Sequence, residues 1–270
     1  MVTLLLFFVF IEIASLSSYA MISLGRDKRS LYAAFKYLIF GTVGASFILI
    51  SVGLLYVVTG TLNIADLSQQ LTNAENTSTI TTAFVFFVVG IGIKAAIFPL
   101  HLWLPDAYTY SPSIVSTFLA GTTTKVFIYV LIRFIYSLYG YEFSFFAESF
   151  HYLLMFIASG AILFGSYLAM KQDSLKRILA YSSIAQIGYM VLGIGVGAYN
   201  AAFMHLITHA VFKACLFLSA GSVIHSLHDH HTHAHVQEMP RMGGLRKKMP
   251  LTFLAMMCCT LAISGIPFFS

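Results

Sequence analysis

Charge is what this chain lacks most. Only 9% of its 270 residues are Asp, Glu, Lys or Arg, 59% are hydrophobic, and the mean hydropathy is +0.85. Soluble domains carry about 25% charged residues, so a water-facing globule is excluded and a polytopic membrane protein is indicated. Cysteine is nearly absent. Cys215, Cys258 and Cys259 all fall in apolar stretches, with no spacing for a disulfide framework or a thiolate metal site, and read as small core residues. Strict apolar–polar alternation is missing, which argues against a β-barrel. There is no Gly-rich phosphate loop, no nucleophile elbow and no CxxC pair. No cofactor and no metal site is expected.

What is present is a series of about eight apolar stretches: Thr3–Leu24, Leu31–Thr59, Thr81–Leu104, Ile114–Tyr139, Tyr152–Met170, Leu175–Ala198, Ala201–Leu227 and Leu251–Phe269. A helix needs about 20 such residues to cross a bilayer. The expected fold is all-α, a polytopic transmembrane helix bundle.

The formal charge of +5 would suggest nucleic acid in a soluble protein, but its placement says otherwise. Arg26, Lys28, Arg29, Lys171, Lys176, Arg177, Arg241, Arg246, Lys247 and Lys248 follow the first, fifth and seventh stretches. The turns after the second, fourth and sixth lack Lys and Arg and hold Asp66, Glu75, Glu142 and Glu148. By the positive-inside rule the basic loops face the cytoplasm. They are topology signals and anionic-lipid contacts, and no nucleic-acid partner is expected.

Four charges interrupt the apolar stretches near their centres: Glu12, Lys94, Lys125 and Lys213. At 1.5 Å per residue, Glu12, Lys94 and Lys213 lie roughly 15–20 Å into their helices. A charge at the bilayer midplane costs roughly 2.5–3.5 kcal/mol on insertion scales. Such groups read as stations for an ion, with Glu12 the counter-ion of Lys94. A static Glu12–Lys94 ion pair is the structural alternative. Pro99 follows Lys94 by five residues and predicts a broken helix. Lys125 follows Gly121-Thr122-Thr123-Thr124, whose hydroxyls can hold water unless they bond back to their own helix. Lys36 and Arg133 lie near helix ends and read as interfacial snorkelling.

His205, His209 and Lys213 recur at i, i+4 and i+8, one stripe along one helix face. Imidazole exchanges protons near neutral pH, so the stripe reads as a proton relay. Ser182, Ser183 and Gln186 in the preceding helix are candidate polar neighbours. The run from His225 to His235 is histidine-rich but lacks ordered metal-ligand spacing, and reads as a solvated loop. Gly193 and Gly197 form a GxxxG, and Asn76-Thr77-Ser78 a sequon.

Ala33-Ala34-Phe35-Lys36-Tyr37-Leu38-Ile39 is similar to Ala201-Ala202-Phe203-Met204-His205-Leu206-Ile207. The two helices run in opposite directions in the expected topology, as in an inverted-topology repeat. That topology starts Met1 outside without a basic stretch or a cleavage site, and Ser270 closes an apolar run. Both ends are expected of an internal piece of a longer chain.

Five segments carry a family resemblance: FVFIEIASLSSYA, IKAAIFPLHLWLPDAYTYSPSIVSTFLAGTTTKV, KQDSLKRILAYSSIAQIGYMVLG, HLITHAVFKACLFLSAGSVIH and MGGLRKKMPLTFL. The chain resembles, over nearly its whole length, the antiporter-like proton-pumping membrane subunits of respiratory complex I, membrane-bound hydrogenases and multi-subunit Na⁺/H⁺ antiporters. The resemblance implies two inverted five-helix repeats, each with a broken helix, offset half-channels and a central polar axis. It implies that Glu12 and Lys94 are the charge pair that switches, that Lys125 is the next axis lysine, and that His205, His209 and Lys213 continue the axis. The second broken helix would be the last one, with Gly265-Ile266-Pro267 at its break and Phe268 where a second proline is common. Residues 1–270 would be a partial antiporter-like transmembrane domain. The implied function is proton translocation in a redox-driven NADH:quinone oxidoreductase or hydrogenase complex of the cell membrane. The redox chemistry, and any enzyme activity, would belong to partner subunits. The main rival is a multi-subunit Na⁺/H⁺ antiporter, with Na⁺ as a coupling ion. A metal-ion carrier and a helix-binding scaffold are the other classes.

Overall fold

The structure, a computed structural model, describes residues 3–25, 27–72, 77–139, 144–227 and 237–267. The fold is all-α, 85% helical, and among the described residues holds only two isolated β-bridges. Arg26, Glu75, Asn76, Glu142, Phe268 and the histidine run from position 228 onward lie outside the described residues.

Among the described residues, six helical segments are long and apolar enough to cross a membrane: Leu4–Ser23, Lys28–Thr59, Ser113–Tyr139, Ser149–Met170, Leu175–Gly195 and Tyr199–Ser226. Two shorter apolar helices, Ser78–Lys94 and Pro250–Ile263, complete the eight expected stretches. In chain order the elements are α1 (Leu4–Ser23), α2 (Lys28–Thr59), α3 (Ile64–Thr72), α4 (Thr77–Lys94), α5 (Leu104–Tyr110), α6 (Ser113–Phe118), α7 (Thr124–Arg133), α8 (Ser144–Met170), α9 (Leu175–Gly195), α10 (Tyr199–Ser226), α11 (Leu245–Lys248) and α12 (Pro250–Ile263). α3 has no counterpart among the expected stretches. It is a short end-piece that Asn63 starts by accepting from the Ala65 amide, and it buries Leu67 and Leu71 against the bundle.

The two short helices are short for one reason. α4 stops at Lys94, and α12 at Ile263. In each, the second residue beyond is left-handed: Ala96 (φ 57°) and Gly265 (φ 71°). The next amide then reaches back five residues, Ile97 to the Gly92 carbonyl (2.9 Å) and Ile266 to the Leu261 carbonyl (3.3 Å). This is a Schellman closure, normally built on glycine. At Ala96 a methyl-bearing residue accepts a backbone that costs roughly 1–2 kcal/mol. Pro99 and Pro267 both come after the helix has ended, so neither removes a bond from a helix interior as the sequence suggested. Their part is to forbid continuation: a proline ring would clash with the carbonyl four residues back, and it biases its predecessor away from helix.

The span Ser113–Tyr139 is not regular either. π-helical turns at Leu119–Thr123 and Phe134–Tyr139 flank α7. Elsewhere small residues set helix spacing. A methyl on Gly165 of α8 would meet the Ala185 backbone nitrogen of α9 at 2.8 Å, and one on Gly188 would meet Ala161 and Ile162. Close approach therefore rests on Gly165 and Gly188. Of the GxxxG pair, Gly193 faces Ala202 and Gly197 sits in the turn after α9 (φ 76°). Large apolar side chains such as Phe10, Val57, Phe156 and Leu163 remain on the outside, as a lipid-facing surface requires.

Candidate functional site

The interior of this apolar bundle holds a line of charged and polar side chains. Lys94 is the last residue of α4 and is 1% exposed. Its Nζ stands 2.6 Å from Glu12 Oε1 on α1 and donates to Ser15 Oγ, one turn further along α1, at 2.9 Å. The ring of Phe127 on α7 lies 5.7 Å from the same nitrogen. The ion pair thus sits where a helix stops inside the bundle.

The stretch after the break is tied down by Trp103, the only tryptophan. Its buried indole donates to the Ile93 carbonyl at 2.8 Å and stacks on Tyr37 of α2 at 3.9 Å and 8°. It is a second donor to a helix-end carbonyl that also accepts from the Ala96 amide at 3.2 Å. Trp103→Phe should lower stability by about 0.5–1.5 kcal/mol, the net contribution of one hydrogen bond, since the Ile93 carbonyl keeps the Ala96 amide. Thermal unfolding in detergent checks this.

Lys125 is the second residue of α7 and is 4% exposed. Its ammonium turns back into the widened turn before it, donating to the Ala120 carbonyl and to Thr124 Oγ1. Of the preceding threonines, Thr122 bonds to its own helix at Phe118. On α10, His209 and Lys213 are fully buried and His205 is half-buried. Lys213 donates to Ser182 Oγ (2.5 Å) and to the Leu179 carbonyl (3.1 Å) of α9, and His205 Nε2 meets Gln186 Oε1 at 2.7 Å. Ser183 donates to its own helix instead. The rings of His205 and His209 are 5.9 Å apart. Neither ring nitrogen of His209 has a partner among the described residues. Lys125 is close enough to act electrostatically on His205, His209 and Lys213. α7 and α10 therefore bring Lys125 to the histidine stripe, while Lys94 is reached past Phe127. Beyond the Glu12–Lys94 pair, no direct hydrogen bond joins one station to the next among the described residues; the other two ammoniums are held by local oxygens.

Three residues of the polar interior were not legible as such. Lys176, expected in a basic loop, is 2% exposed. It begins α9 and turns inward, donating to the Ser111 carbonyl (2.8 Å) and to Ser116 Oγ (3.2 Å). Asp106 on α5 is shared by Lys36 of α2 (2.8 Å) and Arg177 of α9 (3.4 Å), so Lys36 has a partner in the bundle that the sequence did not reveal. Arg133 is exposed, as snorkelling requires. Pro267 is exposed beyond the closure of α12. The cysteines are half-buried, and Cys215 of α10 and Cys259 of α12 face each other. No cluster of metal-ligating side chains occurs among the described residues.

The family described as NADH:quinone oxidoreductase/Mrp antiporter, transmembrane, matches residues 2–270. The chain belongs to that family. It is 43% identical over 263 residues to NADH-quinone oxidoreductase subunit N of Desulforudis audaxviator, covering 96% of this chain and 50% of that protein. It is 32% identical over 263 residues to a Na⁺/H⁺ antiporter subunit of Alkalihalophilus pseudofirmus, covering 96% and 51%. Among solved structures it is similar to a chain of the membrane-bound sulfane sulfur reductase, an archaeal respiratory membrane complex (TM-score 0.84, 29% identity, 98% of this chain and 53% of that one). The chain spans about half the length of the curated relatives it matches. The family and the six long apolar helices make it a polytopic membrane protein.

Proposed function

We propose that this chain carries a proton-translocating site of a redox-driven membrane complex of the NADH:quinone oxidoreductase or membrane-bound hydrogenase type. The observation that carries the reading is the Glu12–Lys94 ion pair, formed where α4 ends inside the bundle. A cation there changes its partner with any movement of the break, and a conformational or electrostatic input that opens the pair changes the affinity of Lys94 for its proton. An amine buried among neutral oxygens can exist in either protonation state, which a carrier requires. The proton passes to Lys125 and on to His209, His205 and Lys213, with water between stations whose side chains do not touch. Residues 1–270 act as a partial antiporter-like transmembrane domain in the cell membrane, with the basic loops cytoplasmic and other membrane subunits as neighbours. The redox reaction belongs to those partner subunits.

The second reading is membership of a Na⁺/H⁺ antiporter, favoured by the likeness to the Alkalihalophilus pseudofirmus protein. One experiment addresses both. The full-length chain is assembled in its complex, reconstituted in vesicles and energised by the redox reaction or by a sodium gradient. Lys125→Ala should lower proton uptake by about 100-fold, the scale of losing a proton-transfer group. Full uptake with full assembly rejects the axis. Uptake driven by sodium and not by the redox reaction selects the antiporter.

A further inference from the structure

Two buried tyrosine hydroxyls beside the ion pair have no use in the axis above. Tyr19 on α1 and Tyr37 on α2 are 7% and 1% exposed, and neither hydroxyl meets a hydrogen-bond partner in good geometry among the described residues, with Ser15 the polar side chain beside Tyr19. Buried hydroxyls are normally satisfied, and two orphans side by side call for a ligand. The rings meet edge to face at 4.6 Å and 89°. Glu12, Ser15 and Tyr19 fall at i, i+3 and i+7, one face of α1. Ser15 already holds the Lys94 ammonium, and both tyrosines are near enough to feel the charge of Glu12.

The surroundings are shaped for these hydroxyls. A methyl on Gly41 would overlap the Tyr19 oxygen, so glycine is what lets it in. Tyr37 is held by the Trp103 indole that caps the break. Both tyrosines lie toward the Ser23 end of α1 and the Lys28 end of α2, the end of the bundle with the basic turn.

We propose that Tyr19 and Tyr37 hold internal water that connects Glu12 to the basic end of the bundle. The inference rests on the reading of Glu12–Lys94 as a working proton site. A buried water needs two to four polar partners; the two phenol oxygens, Ser15 Oγ and the Glu12 carboxylate are the groups offered to it. As a relay, each oxygen releases one proton toward Glu12 and takes one from the opposite side, so nothing is consumed and one hydrogen ion moves. Because Tyr37 is stacked on Trp103, rearranging the break shifts one of the water's anchors.

The test uses Tyr19→Phe, Tyr37→Phe and the double variant in the full-length chain within its assembled complex. Phenylalanine keeps both ring contacts, and assembly is followed on native gels. A cryo-electron microscopy map that resolves waters should show density within hydrogen-bond distance of both hydroxyls in the wild type and none in the double variant. Vesicle proton uptake should fall about tenfold in the double variant, the scale of one lost water-mediated hydrogen bond in the transition state. Dry hydroxyls in the wild type, or undiminished uptake by the double variant, overturn the proposal. Lys94→Ala run alongside separates the failures. If it stops uptake while the tyrosine variants do not slow it, the water relay alone falls. If it leaves uptake unchanged, the reading of the ion pair falls, and the water density alone decides whether the tyrosine site exists.

Discussion

Vesicles carrying Lys94→Ala in the assembled complex should take up protons at least about 100-fold more slowly than wild type, with a loss of stability that a second substitution repairs. Lys94 is 1% exposed and its ammonium contacts both Glu12 and Ser15. Removing one partner of a buried pair leaves an uncompensated charge, which costs about 3–5 kcal/mol. Glu12 keeps some access to its surroundings, with a side chain 22% exposed, so the lower part of that range applies. Glu12→Gln combined with Lys94→Met removes both charges and should return the unfolding midpoint to wild type or above. It should not return proton uptake. That split separates a carrier from a structural ion pair: a static bridge predicts that the double variant recovers both.

Replacing His209 should move stability and transport in opposite directions. The imidazole is fully buried between His205 and Lys213, near Lys125, and neither nitrogen is bonded among the described residues. An unsatisfied buried polar group costs about 1–3 kcal/mol, so His209→Leu should be neutral or stabilising in thermal unfolding. As the link between Lys125 and Lys213 it should be indispensable, with uptake falling about 100-fold or more. A core histidine without a transport role would give the stability gain and leave uptake unchanged.

The buried charges were legible because of where they stand in the sequence. A lysine halfway along an apolar helix has no route to the interface, so Lys94, Lys125 and Lys213 had to find interior partners. The i, i+4, i+8 spacing likewise fixed the stripe to one face of α10. Lys176 escaped because the positive-inside rule concerns loops, not side-chain direction. Lys176 opens α9 at its boundary, and its partners Ser111 and Ser116 lie some sixty residues earlier in the chain, a pairing that no local pattern encodes. Asp106 escaped for the same reason: its partners come from α2 and α9, and only the fold brings them to one carboxylate. At Pro99 the location of the break was legible, but its construction was not. The closure is made by backbone torsion at Ala96 and by an indole ten residues beyond Ile93, neither of which has the glycine signature usual at such ends.

The wide turn at Leu119–Thr123 has a consequence for aim. It takes in one residue more than a regular turn, and each residue rotates a helix by about 100°. Lys125 comes two residues after it and inherits that rotation in full. Tightening the turn to an ordinary coil would swivel Lys125 roughly a quarter of the way around the α7 axis, away from the Ala120 carbonyl it now holds. One surplus residue thus sets the angle from which the lysine enters the bundle.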